Sequence, residues 1–213
     1  VYCIQKGELI IHTEVWKITL ALLIGYLLGS VPFGIIISRL YKLDIRKVGS
    51  GNIGATNVFR NLGAIPGITV FILDVAKGAI PVYISYLLIP PDISFKYWGF
   101  ILVGAIAVMG HMYPAYLKFK GGKGGATSLG VLIGLMPDVA VIAALIFLAA
   151  FFLTRFVSAS TMTTAIAVTI GIWLTLKPTE YLVISFIVTA FIIYKHVPNI
   201  KRILSGTEPK VMS

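Results

Sequence analysis

Two glycine-rich segments of this chain carry residue types that hold anions. Gly51–Asn57 and Gly122–Ser128 share the frame G-x-x-G-A-T-[NS], and each reads as a loop leading into the start of a helix. Glycine lets backbone N–H groups turn toward a ligand, and helix N-termini favour negative charge. A cation accompanies each loop, Arg60 after the first and Lys123 within the second. The pattern predicts a cradle for two phosphate groups.

A packing role is the alternative interpretation of these loops. Glycines also let membrane helices approach closely, and Lys or Arg at helix ends usually reach lipid head groups. Two related loops with two cations on one predicted face favour anion binding. The predicted cradle residues are Gly49, Gly51, Asn52, Gly54 and Asn57 in the first segment and Gly121, Gly122 and Gly124 in the second.

Charged and imidazole side chains also lie within apolar segments. Asp74 and Lys77 are three residues apart and therefore share one helical face. Because a lone charge inside a membrane is costly, the pattern favours structural pairing of the two over direct chemistry. His111 comes late in its segment, and we interpret it as a hydrogen-bonding residue of a helix end rather than a base.

A second histidine follows the last apolar segment. His196 precedes Pro198, which should stop the helix, so His196 and Asn199 could face a site at the membrane surface. Function and helix capping are equal alternatives for this pair. Ser158 and Thr161 open the preceding segment, where hydroxyl groups usually cap a helix.

Several kinds of chemistry are missing from the sequence. No histidine is followed by the aspartate of an H-x4-D acyltransferase motif, and neither a Walker-type loop nor H-E-x-x-H occurs. The single cysteine, Cys3, excludes a multi-thiolate metal site, and we predict neither a metal nor a cofactor. Any reaction here must need little acid–base help from the protein, as an already activated, anionic substrate would.

The composition of the chain indicates the class of protein in which these residues are positioned. Of the 213 residues 58% are hydrophobic and only 12% are charged, whereas a soluble domain has about 25% charged residues. The mean hydropathy is +0.95. These values indicate an integral membrane protein and exclude a nucleic-acid-binding domain despite the net charge of +10.

Seven apolar segments predict an all-α bundle of seven transmembrane helices, some of them short. A helix needs about 20 residues to cross a hydrocarbon layer of about 30 Å. The first segment contains Gly29-Ser-Val-Pro-Phe-Gly34, which predicts a kink that lets another helix approach. The segments are Ile18–Ser38, Ile65–Pro90, Tyr97–Leu117, Gly124–Pro137, Val139–Thr154, Phe156–Leu176 and Tyr181–Tyr194.

The basic residues predict the orientation of the bundle. With the N-terminus outside, 13 of the 18 Lys and Arg residues fall on the inner side, and four fall outside. Because positive charge marks cytoplasmic loops, we expect an outside N-terminus and a cytoplasmic C-terminus. The glycine loops and the segment from His196 onward then share the cytoplasmic face.

Three motifs together resemble the PlsY-type bacterial acyl-phosphate:glycerol-3-phosphate acyltransferases. They are Gly49-Ser-Gly-Asn-Ile-Gly-Ala-Thr-Asn57 with Arg60, Gly110-His-Met-Tyr-Pro114 followed by Lys120-Gly-Gly-Lys-Gly-Gly-Ala-Thr127, and His196-Val-Pro-Asn199. Leu73-Asp-Val-Ala-Lys-Gly78 fits the same pattern. The resemblance runs from about residue 18 to residue 205. It implies one transmembrane domain, residues 15–213, after a variable or non-native end, residues 1–14.

The resemblance implies a reaction, a location and a set of site residues. The reaction is transfer of a fatty acyl group from acyl phosphate to the 1-hydroxyl of glycerol 3-phosphate, giving lysophosphatidic acid and phosphate. The location is the bacterial cytoplasmic membrane, with membrane lipids as partners and the active site facing the cytoplasm. The site residues are Ser50, Arg60, Lys123, Thr161, His196 and Asn199, with possible support from Asp74, Lys77, His111 and Ser158.

The chemistry of an acyl phosphate is consistent with this expectation. Its phosphate leaves readily, so no covalent acyl-enzyme is needed, and positioning and charge neutralisation can supply the catalysis. We expect the acyl chain to lie among the helices. The alternatives are a phosphate or organic-anion transporter, which should hold its anion near the midplane, and a lipid-binding structural subunit.

Overall fold

A computed structural model describes residues 2–90, 96–175 and 177–211, with side chains from residue 15 onward. Three boundaries predicted from the sequence lie outside the described residues: the start of the variable end at residue 1, the end of the sixth apolar segment at residue 176 and the end of the transmembrane domain at residue 213. Within them all regular structure is helical. The α-helices are α1 (Tyr2–Ser30), α2 (Phe33–Leu40), α3 (Ala55–Leu62), α4 (Ala64–Leu88), α5 (Lys96–Met112), α6 (Gly125–Leu135), α7 (Pro137–Thr154), α8 (Val157–Leu174) and α9 (Thr179–Leu204).

Six spans of the described chain are long and apolar enough to cross a membrane: α1 with α2, and α4, α5, α7, α8 and α9. Helix α6 is apolar but shorter, with 11 residues, which gives about 16 Å at 1.5 Å per residue. That is roughly half of a 30 Å hydrocarbon layer. The predicted all-helical membrane class is confirmed, whereas the count of seven spans and their orientation remain predictions.

The first predicted segment is broken at Pro32, as its sequence indicates. Helix α1 ends at Ser30 and α2 begins at Phe33, because proline has no N–H to continue the ladder of hydrogen bonds. Near the break a β-carbon on Gly29 would overlap the backbone of Ala107 in α5. The predicted kink with close helix approach is therefore confirmed.

Helices α4 and α6 also pack with their backbones nearly in contact. A β-carbon built on Gly130 would overlap the carbonyl oxygen of Val75, and one on Gly78 would overlap that of Thr127. Small residues allow this approach between membrane helices. The contacts fix α6, and with it the loop that precedes it, against α4.

We expect Gly130→Ala to destabilise the protein by about 1–3 kcal/mol, because the added methyl group overpacks the contact between α4 and α6. Gly171 in α8 is a matched control, since a β-carbon there meets nothing within 4 Å. Gly171→Ala should be neutral or slightly stabilising, because alanine is the better helix former. Thermal unfolding of both variants in detergent checks this, and equal midpoints would contradict the packing argument.

The last helix corrects the expectation that Pro198 ends it. Helix α9 runs through Pro198 to Leu204, far beyond the apolar run that ends at Tyr194. The proline removes one N–H, and membrane helices tolerate this loss where neighbouring groups compensate for it. His196 and Asn199 consequently lie on one continuous helix, three residues apart and on the same face.

Candidate functional site

The predicted cationic residues meet at one end of the helical bundle. Lys123 Nζ donates a hydrogen bond to Asn199 Oδ1 of α9. Arg60 donates from Nη2 to the carbonyl of Pro209 at 2.7 Å, while its buried Nε has no protein partner. A single cavity of about 700 Å³ is lined by Ser50, Asn52, Gly54, Arg60, Lys123, Gly124, Thr161, His196 and Asn199, among others.

The first glycine loop is held in shape by Asn57. Its side chain is buried and accepts from the Ser50 N–H at 3.0 Å. It donates to the carbonyls of Ile45, Val48 and Asn52. Because these bonds occupy the amide, Asn57 shapes the loop from within rather than presenting its side chain to a ligand, which corrects its predicted place in the cradle.

The glycines of this first loop divide into two roles. Gly49 and Gly51 have φ of +57° and +68°, a left-handed conformation that favours glycine. Gly54 is the N-cap of α3, and this helix end has no side-chain cap. The first N–H groups of such a helix have no partner within it, so they are free to bind an anion beside the exposed Ser50.

The second loop also leads into a helix, but only part of it is free for a ligand. Gly124, with φ of +87°, is the N-cap of α6, again without a side-chain cap. Gly121 and Gly122 instead donate their N–H groups to the carbonyls of Met112 and His111 at the end of α5. The prediction that these two glycines bare their N–H groups is wrong, because the last carbonyls of α5 need donors.

His196 and Asn199 present fixed atoms to the cavity. His196 Nδ1 lies 2.7 Å from the Ile192 carbonyl. A carbonyl can only accept, so Nδ1 carries the proton and Nε2 is left to bind a substrate hydroxyl. Asn199 donates from Nδ2 to Glu208 at 2.7 Å while its Oδ1 accepts from Lys123. Both side chains are buried.

Glu208 is the site residue that the sequence analysis missed. It lies in the short C-terminal segment that folds back along α9, and it accepts hydrogen bonds from Ser158, Asn199 and Arg202 at 2.7–2.8 Å. Burial alone would raise the pKa of Glu208, but these three hydrogen bonds hold it below its ordinary value. The sequence feature that could have indicated Glu208 is that it is a lone carboxylate in an otherwise basic C-terminal segment.

The hydroxyl groups at the start of α8 do not cap that helix. Ser158 donates to Glu208 at 2.8 Å, and Thr161 donates to the Val157 carbonyl at 2.8 Å within the helix. The capping expectation for both is wrong, because Phe156 is the N-cap and makes no side-chain cap bond. Thr161 faces the start of α6, where a β-carbon built on Gly125 would lie 3.0 Å from its methyl group.

The intramembrane pair is confirmed as a salt bridge and extends to a third residue. Lys77 Nζ lies 2.7 Å from Asp74 Oδ1, and His111 Nδ1 lies 3.7 Å from the same oxygen. Lys77 also donates to the Val31 carbonyl at the break between α1 and α2, at 2.8 Å. His111 therefore belongs to a buried charge network rather than acting only at its helix end.

The charge balance at this end is positive. Among the described residues there, Arg60, Lys123 and Arg202 lie close to the carboxylate of Glu208. The other carboxylate that lines the cavity, that of Asp74, is paired with Lys77. Burial lowers the pKa of Lys123 to about 8; Glu208 opposes the shift, and Arg202 and Arg60 add to it. A net positive, partly buried site is suited to bind phosphate groups.

Because Lys123 is charged only below its pKa, we expect kcat/KM for an anionic substrate to fall as pH rises above about 8, approaching tenfold per unit. Lys123→Arg should remove this alkaline limb, since a guanidinium stays charged. Initial rates across the pH range, corrected for spontaneous hydrolysis of the substrate, measure both profiles. A wild-type profile that stays flat two units above the pKa would contradict the role of Lys123.

The fold and the site define a multi-spanning helical membrane protein with a cationic pocket at one end of an apolar cavity. A model of the glycerol-3-phosphate acyltransferase family matches residues 19–206. The chain belongs to this family, and the resemblance read from its three motifs is confirmed.

Individual relatives are similar over nearly the whole chain. A glycerol-3-phosphate acyltransferase of Macrococcus caseolyticus is 47% identical over 199 residues, covering 92% of this chain and 97% of the relative. One of Aquifex aeolicus is 41% identical over 192 residues, covering 90% and 98%. The crystal structure of PlsY, an integral membrane glycerol 3-phosphate acyltransferase, in its glycerol 3-phosphate form has a TM-score of 0.85 at 40% identity, covering 91% and 95%.

Proposed function

We propose that the chain transfers a fatty acyl group from acyl phosphate to the 1-hydroxyl of glycerol 3-phosphate. The products are lysophosphatidic acid and inorganic phosphate, with no covalent acyl-enzyme and no cofactor. The convergence of Arg60 and Lys123 at the mouth of an apolar cavity is the observation that carries this proposal. Crystals of the similar PlsY hold glycerol 3-phosphate in one form and lysophosphatidic acid in another.

Each substrate has a group at the site that suits it. The N-terminus of α6 and Lys123 would hold the phosphate of the acyl donor, whose chain enters the cavity. Arg60, His196 and Asn199 would hold glycerol 3-phosphate, with Ser50 and the N-terminus of α3 beside it. The residues that bind the substrates would be held in position by their neighbours in the protein, namely Thr161, Ser158 and the Asp74–Lys77–His111 network.

The reaction itself needs one bond made and one broken. The glycerol hydroxyl oxygen attacks the acyl carbonyl carbon, and the bond from that carbon to the phosphate oxygen breaks. Phosphate leaves with the electron pair, and a phosphate oxygen accepts the hydroxyl proton. Lys123 and the N-terminus of α6 neutralise the charge that collects on the departing phosphate, and this electrostatic stabilisation is usually the largest contribution to catalysis in such sites.

A transporter of phosphate or organic anions is the weaker candidate. It should hold its anion near the midplane between discontinuous helices. Here the cations and the free helix N-termini belong to the end of the bundle where α6 and α8 begin and α9 ends. We propose that this end faces the cytoplasm, because most of the Lys and Arg residues fall on that side when the N-terminus is outside.

The test is to supply purified protein with palmitoyl phosphate and glycerol 3-phosphate and measure both products. We expect equal amounts of phosphate and lysophosphatidic acid, and no ester when palmitoyl-coenzyme A replaces the acyl phosphate. Proteoliposomes that take up phosphate without forming the ester would favour the transporter instead.

A further inference from the structure

The cavity is apolar beyond its cationic end. Its far wall comes from α6, α7, α8 and α9. The Gly122 N–H, directly before Lys123, donates a hydrogen bond to the His111 carbonyl, and His111 lies beside Asp74. His111 and Asp74 therefore belong to the cationic end. All the acidic, basic and histidine residues that line the cavity belong to that end: Arg60, Asp74, His111, Lys123, His196 and Glu208.

Three hydroxyl groups deep in the cavity have partners in the protein. The Oγ1 atoms of Thr169 and Thr189 lie 2.9 Å apart, and each also lies within hydrogen-bond distance of the Ala165 carbonyl oxygen. Ser185 donates to the Leu182 carbonyl at 2.8 Å. Because these three groups are satisfied, hydrocarbon can lie against them at little cost. The hydroxyl groups of Ser128 and Thr164, which also line the cavity, have no hydrogen-bond partner in the protein.

The depth of the apolar part is measured along helix α8, which approaches both ends of α6. Gly125 at the start of α6 faces Thr161, and Met136 just after its end packs in one cluster with Val168 and Ile172. Ile172 follows Thr161 by eleven positions along α8, a rise of about 16 Å. Carbon–carbon bonds of about 1.5 Å in a zig-zag advance roughly 1.25 Å per carbon, so this depth holds about 13 extended carbons.

We infer that the cluster of Met136, Val168 and Ile172, together with Tyr181, is an end wall that limits the length of the acyl chain the protein accepts. This inference rests on the proposed function. The four side chains line the cavity at the end opposite the cations and pack against one another. A longer chain must bend at this wall or leave between the helices, so its transfer falls.

Val168→Phe tests the inference by moving the wall. Val168 lies one turn closer to the cations than Ile172, so the new ring shortens the cavity by about 6 Å, or roughly five carbons. We expect the ratio of kcat/KM for dodecanoyl phosphate, whose chain fits only the wild-type depth, over octanoyl phosphate, which fits both, to fall about tenfold or more. The matched control is Ile170→Phe on the exposed face of the same helix, which should keep the wild-type ratio.

Ile172→Ala tests the end wall in the opposite direction, by lengthening the cavity. Because this substitution only removes atoms, it remains a test even if Val168→Phe does not fold. We expect its ratio of kcat/KM for tetradecanoyl over dodecanoyl phosphate to rise. Unchanged chain-length profiles in folded wall variants would overturn the inference while leaving the proposed function intact. A wild-type protein that transfers from none of these acyl phosphates would overturn the proposed function, and the end wall with it.

Discussion

Lys123→Ala is expected to reduce acyl transfer by about 10²- to 10³-fold, the range seen when one donor to developing negative charge is removed. Lys123 bonds Asn199 across the cavity and lies directly before the free N-terminus of α6. Its charge therefore acts where the phosphate of the donor would bind. Initial rates with saturating acyl phosphate and glycerol 3-phosphate measure the effect.

Lys120→Ala is the matched control for this variant. Lys120 lies three residues earlier in the same loop and is exposed to solvent. It should therefore retain wild-type rates, because exposed charges contribute little. If both variants fold, as judged by gel filtration and thermal unfolding, and lose activity equally, the specific role of Lys123 is wrong.

Arg60→Lys is expected to reduce kcat/KM for glycerol 3-phosphate about 10- to 100-fold, since a hydrogen bond to a charged group contributes roughly 1.5–3 kcal/mol. The lysine keeps the charge but loses the planar fork that binds phosphate with two parallel bonds. The buried, unpartnered Nε of Arg60 is the donor that we expect the substrate to satisfy.

Arg39→Lys provides the comparison for Arg60. Arg39 is exposed in the last turn of α2, so the same exchange there should leave the kinetics unchanged. Steady-state rates at varied glycerol 3-phosphate separate kcat from KM. Near-normal turnover of Arg60→Lys at low substrate would remove Arg60 from the substrate site.

Local patterns allowed much of the fold and site to be predicted. The glycine frames contain the residues that cap α3 and α6, Gly54 and Gly124, because glycine at a loop end and a helix start are both local signals. The Asp74–Lys77 salt bridge follows from a spacing of three residues on one helix. Pro32 similarly marks the break between α1 and α2.

What could not be predicted depends on contacts between distant segments. Pro198 remains helical because the surrounding protein tolerates one missing donor, which no local rule indicates. Gly121 and Gly122 give their N–H groups to α5, which a loop motif does not reveal. Glu208 joins the site only because the chain after α9 folds back onto Ser158 and Asn199.

The most direct test of the account is one turnover with enzyme in excess over acyl phosphate. Wild-type protein is mixed rapidly with palmitoyl phosphate, with and without glycerol 3-phosphate, and phosphate is measured with time. Direct transfer predicts phosphate and lysophosphatidic acid appearing together, and no phosphate burst without glycerol 3-phosphate. A stoichiometric burst of phosphate without it, with the acyl group retained on the protein, would contradict the account.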